Sequence, residues 1–445
     1  MNERLSAPVD IQIELTQACN WNCFHCYNYW KGCEQHKRSF KSLSCIEIEK
    51  IINELVINKV PSITITGGEP FLRRKELYFL LKMAKEHDIA VSINTNFSLV
   101  TEDDIRVLKD DYPNTTILVS LLSAHELRHE YLTGAAKGTF KKVISNIETT
   151  VSQGLHISIN MVLVRQNMQD LEITAQLAKK LGVKTFCATK SLPNTNQAQN
   201  DFILNPREVY SVLERLVKIE ESFGMPVDTL GCFPKCFLYG TEAYHRFSHR
   251  VCVAAITTLT IGADGAVRPC SHMECSYGNI HQEALSTIWH KMSGWYKGEF
   301  IPEKCTNCQI LELCRGSCRV NNLGQNLTAM DLYATPERVE NKSKVELIPK
   351  AYSEEGPLLH EVKIHPNVKF RKESFGALIY RADKGIITLV NKKAASFLQN
   401  AADTKKTFTF EEFLAKSGAK DQKQKKSVEM LYRKLIRKGV LMSRK

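Results

Sequence analysis

The chain has 445 residues, of which 43% are hydrophobic, so it can hold two or three domains with a sizeable core. The N-terminus begins no apolar signal-peptide segment and no apolar run reaches membrane-spanning length, so we expect a cytoplasmic protein without a membrane partner. Fifteen cysteines at short, clustered spacings favour metal ligation over a disulfide scaffold.

The net charge of +12 is unevenly distributed along the chain. Residues 351–445 contain 21 Lys and Arg but only 10 Asp and Glu, whereas residues 1–350 contain 39 and 38. The basic character therefore belongs almost wholly to the last 95 residues. This distribution predicts an anionic partner for the C-terminal part of the chain.

The first predicted strand, residues 11–16, alternates apolar and polar side chains and runs into a loop with three cysteines. Cys19, Cys23 and Cys26 follow a C-x3-C-x2-C spacing. Closely spaced thiolates suit a [4Fe–4S] cluster, which normally takes four cysteines. Because this loop supplies only three, it leaves one iron open to bind a small molecule.

The second predicted strand, residues 63–66, runs directly into the turn Gly67-Gly68-Glu69-Pro70. Glycines allow close backbone approach and positive φ, and Glu69 offers an acceptor to an ammonium group. The alternative is a structural zinc site or a chance cluster of cysteines. That alternative explains neither the missing fourth ligand nor the turn.

The cysteine loop, with the aromatic Phe24 after its second cysteine, and the GGEP turn together resemble the signature of the radical SAM superfamily. The resemblance implies that the amino and carboxylate groups of S-adenosylmethionine (SAM) chelate the open iron. It also implies that the GGEP turn binds the SAM amino group. Reductive cleavage of SAM would then give methionine and a 5′-deoxyadenosyl radical.

Strand and helix patterns alternate from about residue 8 to 230, which predicts an α/β fold with a parallel sheet. The predicted strands are 11–16, 63–66, 90–96, 116–121, 156–164 and 183–188, and the predicted helices are 44–58, 75–88, 101–109, 139–154, 170–181 and 205–223. Six such repeats resemble the partial (β/α)6 TIM barrel of radical SAM enzymes. In α/β barrels the chemistry lies at the C-terminal ends of the strands.

The resemblance implies further SAM contacts near these strand ends. Phe24 would pack near the adenine, and Ser120 would make another contact. Thr95 and Asn96 would lie near the ribose and carboxylate. The other interpretation is that Asn and Ser at strand ends are simple turn formers. The sequence identifies no catalytic residue.

A second set of cysteines comprises Cys252, Cys270, Cys275, Cys305, Cys308, Cys314 and Cys318. Between the first two we predict a hairpin with strands 257–261 and 267–268 and a turn at 263–266. The set resembles the SPASM domain, an extension of radical SAM enzymes that act on peptides and proteins, which holds up to two auxiliary iron–sulfur clusters. The resemblance implies one cluster on Cys252, Cys270 and Cys318, and a second on Cys305, Cys308 and Cys314.

The sequence does not assign the fourth ligand of either auxiliary cluster. The family usually has a seventh cysteine, but none follows Cys318 here, so the second cluster uses Asp331, keeps an open iron or is absent. Cys275 is a candidate fourth ligand for the first cluster, and Cys232 and Cys236 are either ligands or buried thiols. Two zinc sites are the alternative for the whole segment. We interpret the remaining cysteines as structural: Cys33, Cys45 and Cys187.

The sequence of the C-terminal segment predicts a linker over residues 352–366, followed by three short strands and three helices. The predicted strands are 368–372, 376–381 and 386–390, and the predicted helices are 392–400, 410–416 and 427–437. This pattern resembles the PqqD-like peptide-recognition element, a small winged-helix-like α+β domain. There a precursor leader adds as a strand to the sheet edge beside the last helix. The alternatives are a winged-helix nucleic-acid binder and a purely structural role.

We therefore expect a radical SAM core at 8–230, a SPASM domain at 231–348 and a PqqD-like domain at 357–445. Together they resemble a peptide maturase that modifies a ribosomally made precursor through hydrogen abstraction, forming a thioether or carbon–carbon crosslink. The alternatives are a maturase of a folded protein of the sulfatase-activator type, a tailor of a small cofactor, and an iron–sulfur regulator that binds nucleic acid. The expected partners are the precursor peptide and an electron donor such as flavodoxin or ferredoxin.

Overall fold

The computed structural model describes residues 4–28, 40–193, 201–241, 246–322, 326–339 and 359–443, except 360, 382 and 384. Most of the predicted linker, residues 352–358 and 360, lies outside the described residues, as does Cys33. In the part of the chain that the structure describes, no helix is both long and apolar enough to cross a membrane.

The main sheet has nine strands among the described residues, in the order β7-β6-β5-β4-β3-β2-β1-β8-β9. They are β1 (Asp10–Thr16), β2 (Ser62–Gly67), β3 (Ala90–Thr95), β4 (Thr116–Ser120), β5 (Ile157–Leu163), β6 (Thr185–Lys190), β7 (Val227–Asp228), β8 (Thr258–Ile261) and β9 (Val267–Arg268). Strands β1 to β7 pair in parallel, which matches the predicted partial barrel. The carboxyl ends of these strands therefore meet at one edge.

The helices of the barrel and SPASM segments precede the C-terminal segment in the chain. They are α1 (Cys45–Ile57), α2 (Arg74–Glu86), α3 (Glu102–Asp111), α4 (Glu126–Thr133), α5 (Thr139–Ser152), α6 (Leu171–Lys180), α7 (Pro206–Phe223), α8 (Lys235–Leu238), α9 (Leu285–Lys291), α10 (Ser293–Lys297) and α11 (Leu311–Cys314). Capping boxes begin α1, α3 and α7, as the sequence pattern of acceptor and acidic residue requires. The short helix α4 is the one barrel helix missed by the sequence analysis, because it has no clear apolar stripe.

The predicted hairpin is present as β8 and β9, and it extends the barrel sheet because β8 pairs in parallel with β1. A buried ion pair joins the two parts. The guanidinium of Arg268 on β9 donates to the carboxylate of Glu14 on β1, and both side chains are at most 1% exposed. The SPASM segment is therefore joined to the strand that leads into the three-cysteine loop.

The C-terminal segment forms its own small core of strands and helices. Its elements are β10 (Val362–Ile364), β11 (Lys369–Glu373), β12 (Gly376–Arg381), β13 (Ile386–Asn391), α12 (Lys392–Asp403), α13 (Phe410–Ser417), α14 (Gln422–Arg437) and β14 (Leu441–Ser443). The predicted strands and helices are present, with an antiparallel sheet in the order β11-β12-β13. The pair β10–β14 was missed because each strand is only three residues long.

One face of this small sheet packs against the chain that precedes β1. Leu378 and Tyr380 of β12 form a buried cluster with Leu5 and Val9. Arg371 of β11 adds polar contacts: its guanidinium donates to the carbonyl of Ala7 at 2.8 Å and of Pro8 at 2.7 Å. The C-terminal segment is thus held at the end of the barrel where β1 begins, opposite the carboxyl ends of the strands.

A buried ion pair completes this attachment. Arg371 donates to Glu373 at 2.7 Å, and the second oxygen of Glu373 accepts from the backbone N–H of Ser6 at 2.7 Å. Both charged side chains are at most 4% exposed. Removing one partner would leave the other buried and unpaired, which is costly.

We predict that Arg371→Met destabilises the attachment by about 3–5 kcal/mol, because it leaves the Glu373 carboxylate buried without its cation. Hydrogen–deuterium exchange should show faster exchange over 369–391. Lys369→Ala is the matched control, since its ion pair with Asp88 is exposed and contributes below about 1 kcal/mol. Equal exchange in the two variants would contradict the role given to Arg371.

Candidate active site and auxiliary cysteine groups

The three-cysteine loop begins directly after β1. Within it, the backbone N–H of Trp21 donates to the Cys19 sulfur at 3.4 Å, and the N–H of Cys26 donates to the Cys23 carbonyl at 3.3 Å. All three cysteines are half-buried, and none forms a disulfide. Three thiols on one loop at the carboxyl end of a barrel strand fit a [4Fe–4S] cluster with an open iron.

Helix α4 supports this loop from one side. The N–H of Asn22 donates to the carbonyl of Thr133 at 2.9 Å, and the Trp21 ring packs edge-on against His129 at 5.3 Å. The Nδ1 atom of His129 accepts from the N–H of Leu122 at 3.2 Å. Burial lowers the pKa of His129 to about 4, so this histidine is neutral and acts as a packing and hydrogen-bonding support.

The two glycines of the GGEP turn pack against the start of the cysteine loop. The N–H of Gly68 donates to the Thr16 carbonyl at 2.6 Å, and the next N–H donates to the Ala18 carbonyl at 2.8 Å. A Cβ on Gly68 would lie 1.9 Å from the Ala18 oxygen, and Gly67 has a φ of +123°. The glycines are therefore required by the close approach of this turn to the loop.

Glu69 links this turn to the end of β3. One carboxylate oxygen accepts from the Thr95 hydroxyl at 2.7 Å and the Phe71 N–H at 3.0 Å, and the other accepts from the Asn96 N–H at 2.8 Å. Glu69 is 1% exposed, and burial raises its pKa to about 7. The structure shows this residue as a connector; its contact with the SAM ammonium stays a prediction.

Asn96 extends the connection to the cysteine loop itself. Its side-chain amide donates to the Asn20 side chain at 2.8 Å and reaches the Cys19 sulfur at 4.0 Å. Asn20 in turn donates to Ser98 at 2.9 Å. The predicted residues Thr95 and Asn96 thus adjoin both the turn and the loop.

The remaining predicted SAM residues lie around the same barrel end. Pro70 opens the short 3-10 helix Pro70–Arg73 and is buried. Phe24 packs edge-on against Phe202 with ring centres 5.5 Å apart. Ser120 is the last residue of β4 and is half-buried. The structure brings the GGEP turn, Thr95 and Asn96 together by direct contacts, whereas Phe24 and Ser120 lie on neighbouring elements.

An aromatic stack, which the sequence analysis missed, joins the cysteine loop to the SPASM segment. Tyr27 stacks on His272 with ring centres 4.3 Å apart, and the Nδ1 atom of His272 lies 3.6 Å from the Cys270 sulfur. Burial lowers the pKa of His272 to about 4, so the ring is neutral. No sequence spacing signals this contact, because it joins residues 245 positions apart through the β1–β8 pairing.

The cysteines of the second set fall into two groups. Cys252, Cys270 and Cys318 lie together, and Cys232 joins them: its single S–H lies within hydrogen-bonding reach of the sulfurs of Cys252 and Cys318, and this interaction lowers the pKa of both. Burial raises the pKa of Cys270. Cys275 is exposed and stands outside the contacts that join these four thiols. The predicted three-cysteine group is therefore present with a different fourth neighbour.

Cys305, Cys308 and Cys314 line one small cavity, and Cys236 lines it with them. Asp331 is buried beside Cys318, and its charge also acts on Cys305. Its carboxylate accepts from the Asn321 amide at 2.7 Å, the Ser317 hydroxyl at 2.9 Å and backbone N–H groups. Both oxygens are thus engaged by protein donors.

Comparison with known proteins agrees with both domains. Residues 13–178 match the family model of the radical SAM superfamily, and residues 252–319 match that of the iron-sulfur cluster-binding SPASM domain. The chain is 30% identical to mycofactocin maturase MftC of Mycobacterium tuberculosis over 333 residues, covering 71% of this chain and 79% of that protein. It is 23% identical to AdoMet-dependent heme synthase of Methanosarcina barkeri, covering 71% and 92%.

A solved structure shares the fold. SuiB of Streptococcus suis, bound to its precursor peptide SuiA, superimposes with a TM-score of 0.60 at 19% identity, covering 73% of this chain and 75% of that one. The chain belongs to the radical SAM superfamily and carries a SPASM domain. It therefore uses a [4Fe–4S] cluster, SAM and auxiliary iron–sulfur clusters. Neither family model reaches beyond residue 319, so the C-terminal segment is outside both.

We predict that Gly68→Ala displaces the cysteine loop, because the added Cβ meets the Ala18 carbonyl. SAM cleavage under reduction should fall by at least about tenfold, a cost of ~1.4 kcal/mol. Gly138→Ala is the control: its φ of +88° strains the backbone of the variant, but nothing lies within 4 Å of its Cβ position. Equal SAM cleavage in both variants would show that the close approach is not required.

The raised pKa of Glu69 predicts a pH effect on stability. Its protonated form is favoured in the folded protein, so its contribution is complete below about pH 4.5 and is lost as the pH rises towards 7. As the pH rises from about 4.5 to 7, the free energy of unfolding of wild type should fall relative to that of Glu69→Gln. The relative change should reach up to about 3 kcal/mol. Urea unfolding of cluster-free protein measures this difference; a constant difference would contradict the buried carboxyl.

Proposed function

We propose that this chain is a peptide maturase that modifies a ribosomally made precursor, with the precursor's leader bound by the C-terminal segment 357–445. The observation that carries the proposal is the combination of a radical SAM site with a basic C-terminal segment attached to the barrel. When bound, the cluster and SAM supply a radical that abstracts a hydrogen atom from the substrate. Formation of a thioether or a carbon–carbon crosslink is part of the proposal.

The site residues have distinct roles in this proposal. Cys19, Cys23 and Cys26 hold the cluster, and the GGEP turn with Thr95 and Asn96 forms the SAM-binding surface beside it. Glu69 keeps the turn and the end of β3 in fixed relative positions through its three hydrogen bonds. Phe24 and Ser120 complete the surface on neighbouring elements.

The leader dock is proposed at the edge strand β13. Among the described residues, no strand pairs with its outer edge, since β13 ends the sheet order β11-β12-β13. An extended peptide can add to such an edge through main-chain hydrogen bonds. The basic helix α14 ends beside it: the ammonium of Lys438, just after α14, donates to the Ile387 carbonyl of β13 at 2.8 Å.

Charge at the end of α14 supports an acidic leader. Burial, with the neighbouring Lys434 and Arg437, lowers the pKa of Lys438, so these three cations lie close enough to repel one another. The exposed Lys434 and Arg437 both lie in the last turn of α14. An acidic peptide at β13 would relieve this repulsion and would be drawn to the site by the field of the segment.

The geometry also constrains the substrate. The C-terminal segment packs on residues before β1, whereas the cysteine loop follows β1. The strand between them has seven residues, a rise of about 23 Å at ~3.3 Å per residue. A bound precursor therefore needs a spacer of at least about seven extended residues between its docked leader and the residue that reacts.

The relatives support the proposal in part. One is a maturase, and the structural neighbour SuiB is bound to a precursor peptide. The heme synthase relative favours a second candidate, tailoring of a small cofactor. The basic C-terminal segment argues against that candidate, because a small molecule needs no peptide dock. We propose a cytoplasmic location and a flavodoxin or ferredoxin as electron donor.

Charge reversal tests the dock. In the full chain, Lys434→Glu with Arg437→Glu should weaken binding of a net acidic candidate leader peptide by about tenfold, or ~1.4 kcal/mol. The matched control is Lys179→Glu with Lys180→Glu, which reverses two exposed charges in the last turn of α6. Anaerobic fluorescence anisotropy at low and high salt measures the affinity of the peptide for wild type and for each double variant. The wild-type affinity should fall as the salt concentration rises.

The control arms separate the alternatives. Both double variants should cleave SAM like wild type, because neither pair lies near the cysteine loop. If Lys434→Glu with Arg437→Glu binds and modifies the precursor as well as the control does, α14 and β13 are not the dock. If duplex DNA binds the wild-type chain more tightly than the precursor does, the regulator hypothesis replaces the peptide maturase.

A further inference from the structure

Two cysteines outside the matched SPASM residues lie between the two auxiliary groups. Cys232 and Cys236 belong to one short segment after β7, with a C-x3-C spacing that includes the start of α8. The SPASM match begins only at residue 252. The segment passes from the first group to the second, so a single C-x3-C motif reaches both.

Cys232 contacts the first group directly. Its thiol hydrogen bonds to the thiols of both Cys252 and Cys318, whereas Cys275 is exposed. Cys270 lies near the same pair, since burial and then the charges of Cys318 and Cys252 raise its pKa. Four thiols from four separate chain segments therefore meet at one place.

Cys236 contacts the second group. It is buried in one cluster with Cys314, and Cys308 packs against that cluster. It also lines a common cavity with Cys305. The Cys236 sulfur accepts from the N–H of Thr335 at 3.3 Å, and the Cys314 sulfur accepts from the N–H of Lys235 at 3.4 Å. Backbone donors to sulfur are typical of thiolates that ligate metal clusters.

Two buried lysines supply positive charge beside these groups. Lys190 is 4% exposed, and its ammonium has no hydrogen-bond partner among the described residues. It lies 3.9 Å from the Asp331 carboxylate and close enough to Cys318 to lower the pKa of that thiol. Burial lowers the pKa of Lys235, and the nearby charges of Cys314 and Cys232 oppose this shift, so Lys235 lies close to both groups. A buried ammonium is costly unless negative charge lies close to it, and Asp331 and the thiolate of Cys318 supply that charge for Lys190.

We propose that Cys232 and Cys236 are the fourth ligands of two auxiliary [4Fe–4S] clusters. Cys232 completes Cys252, Cys270 and Cys318; Cys236 completes Cys305, Cys308 and Cys314. The first cluster then has no need of Cys275, and the second has no need of a cysteine after Cys318 or of Asp331, whose oxygens are already engaged.

Zinc is the competing occupant. Zinc–sulfur distances are about 2.3 Å, so one ion draws its thiolates close together, whereas a four-iron cluster separates them. Metal analysis distinguishes the two directly.

The test counts iron in a background without the SAM cluster. The parent, with Cys19, Cys23 and Cys26 all changed to Ala, should bind about eight iron atoms per chain and no stoichiometric zinc. Cys232→Ala and Cys236→Ala should each lower the iron content and alter the electron paramagnetic resonance signal of one cluster only. The double variant should combine both losses.

Cys187→Ala and Cys275→Ala are the controls, and both should keep about eight iron atoms. Should an alanine variant fail to fold, Cys232→Ser and Cys236→Ser keep the size of the ligand and should shift the reduction midpoint of one cluster each. The proposal is overturned by full iron content and parent-like signals in the Cys232 and Cys236 variants. Iron loss in Cys275→Ala or stoichiometric zinc in the parent would overturn it too.

Discussion

The buried ion pair of Glu14 and Arg268 is the interaction on which the relative positions of the three-cysteine loop and the SPASM cysteines depend. Glu14 lies on β1, which leads into the three-cysteine loop, and Arg268 lies on β9, two residues before Cys270. Arg268 also donates to the carbonyl of Met273 at 2.8 Å, which holds the chain after Cys270 in place. Because breaking a buried pair is costly, the two cysteine regions keep a fixed relation.

Hydrogen bonds between loops hold together the residues that we propose bind SAM. The turn after β2, the end of β3 and the loop after β1 are far apart in sequence, and Glu69 and Asn96 join them at the carboxyl edge of the sheet. The two glycines allow this contact because any side chain would meet the backbone of the loop. Rigid support of this kind holds reacting groups in productive positions.

Much of the fold was predictable from periodicity and motifs. The barrel repeats, the β8–β9 hairpin and the strands and helices after residue 368 follow from local patterns. Helix α4 was not predictable, because it lacks an apolar stripe. The Tyr27–His272 stack was not predictable either, because it joins residues far apart in the sequence. The neighbours of Cys232 and Cys236 were also not predictable. The sequence shows their C-x3-C motif, but only the path of the folded chain places each cysteine beside its cysteine group.

The most direct test of the account is anaerobic turnover of the full chain with SAM, a reductant and candidate precursor peptides from small open reading frames that neighbour its gene. Mass spectrometry should show 5′-deoxyadenosine together with a precursor that has lost a pair of hydrogen atoms through crosslinking. Cys23→Ala should give neither product. An unchanged precursor alongside wild-type SAM cleavage, or consumption of a small cofactor in its place, would contradict the peptide maturase.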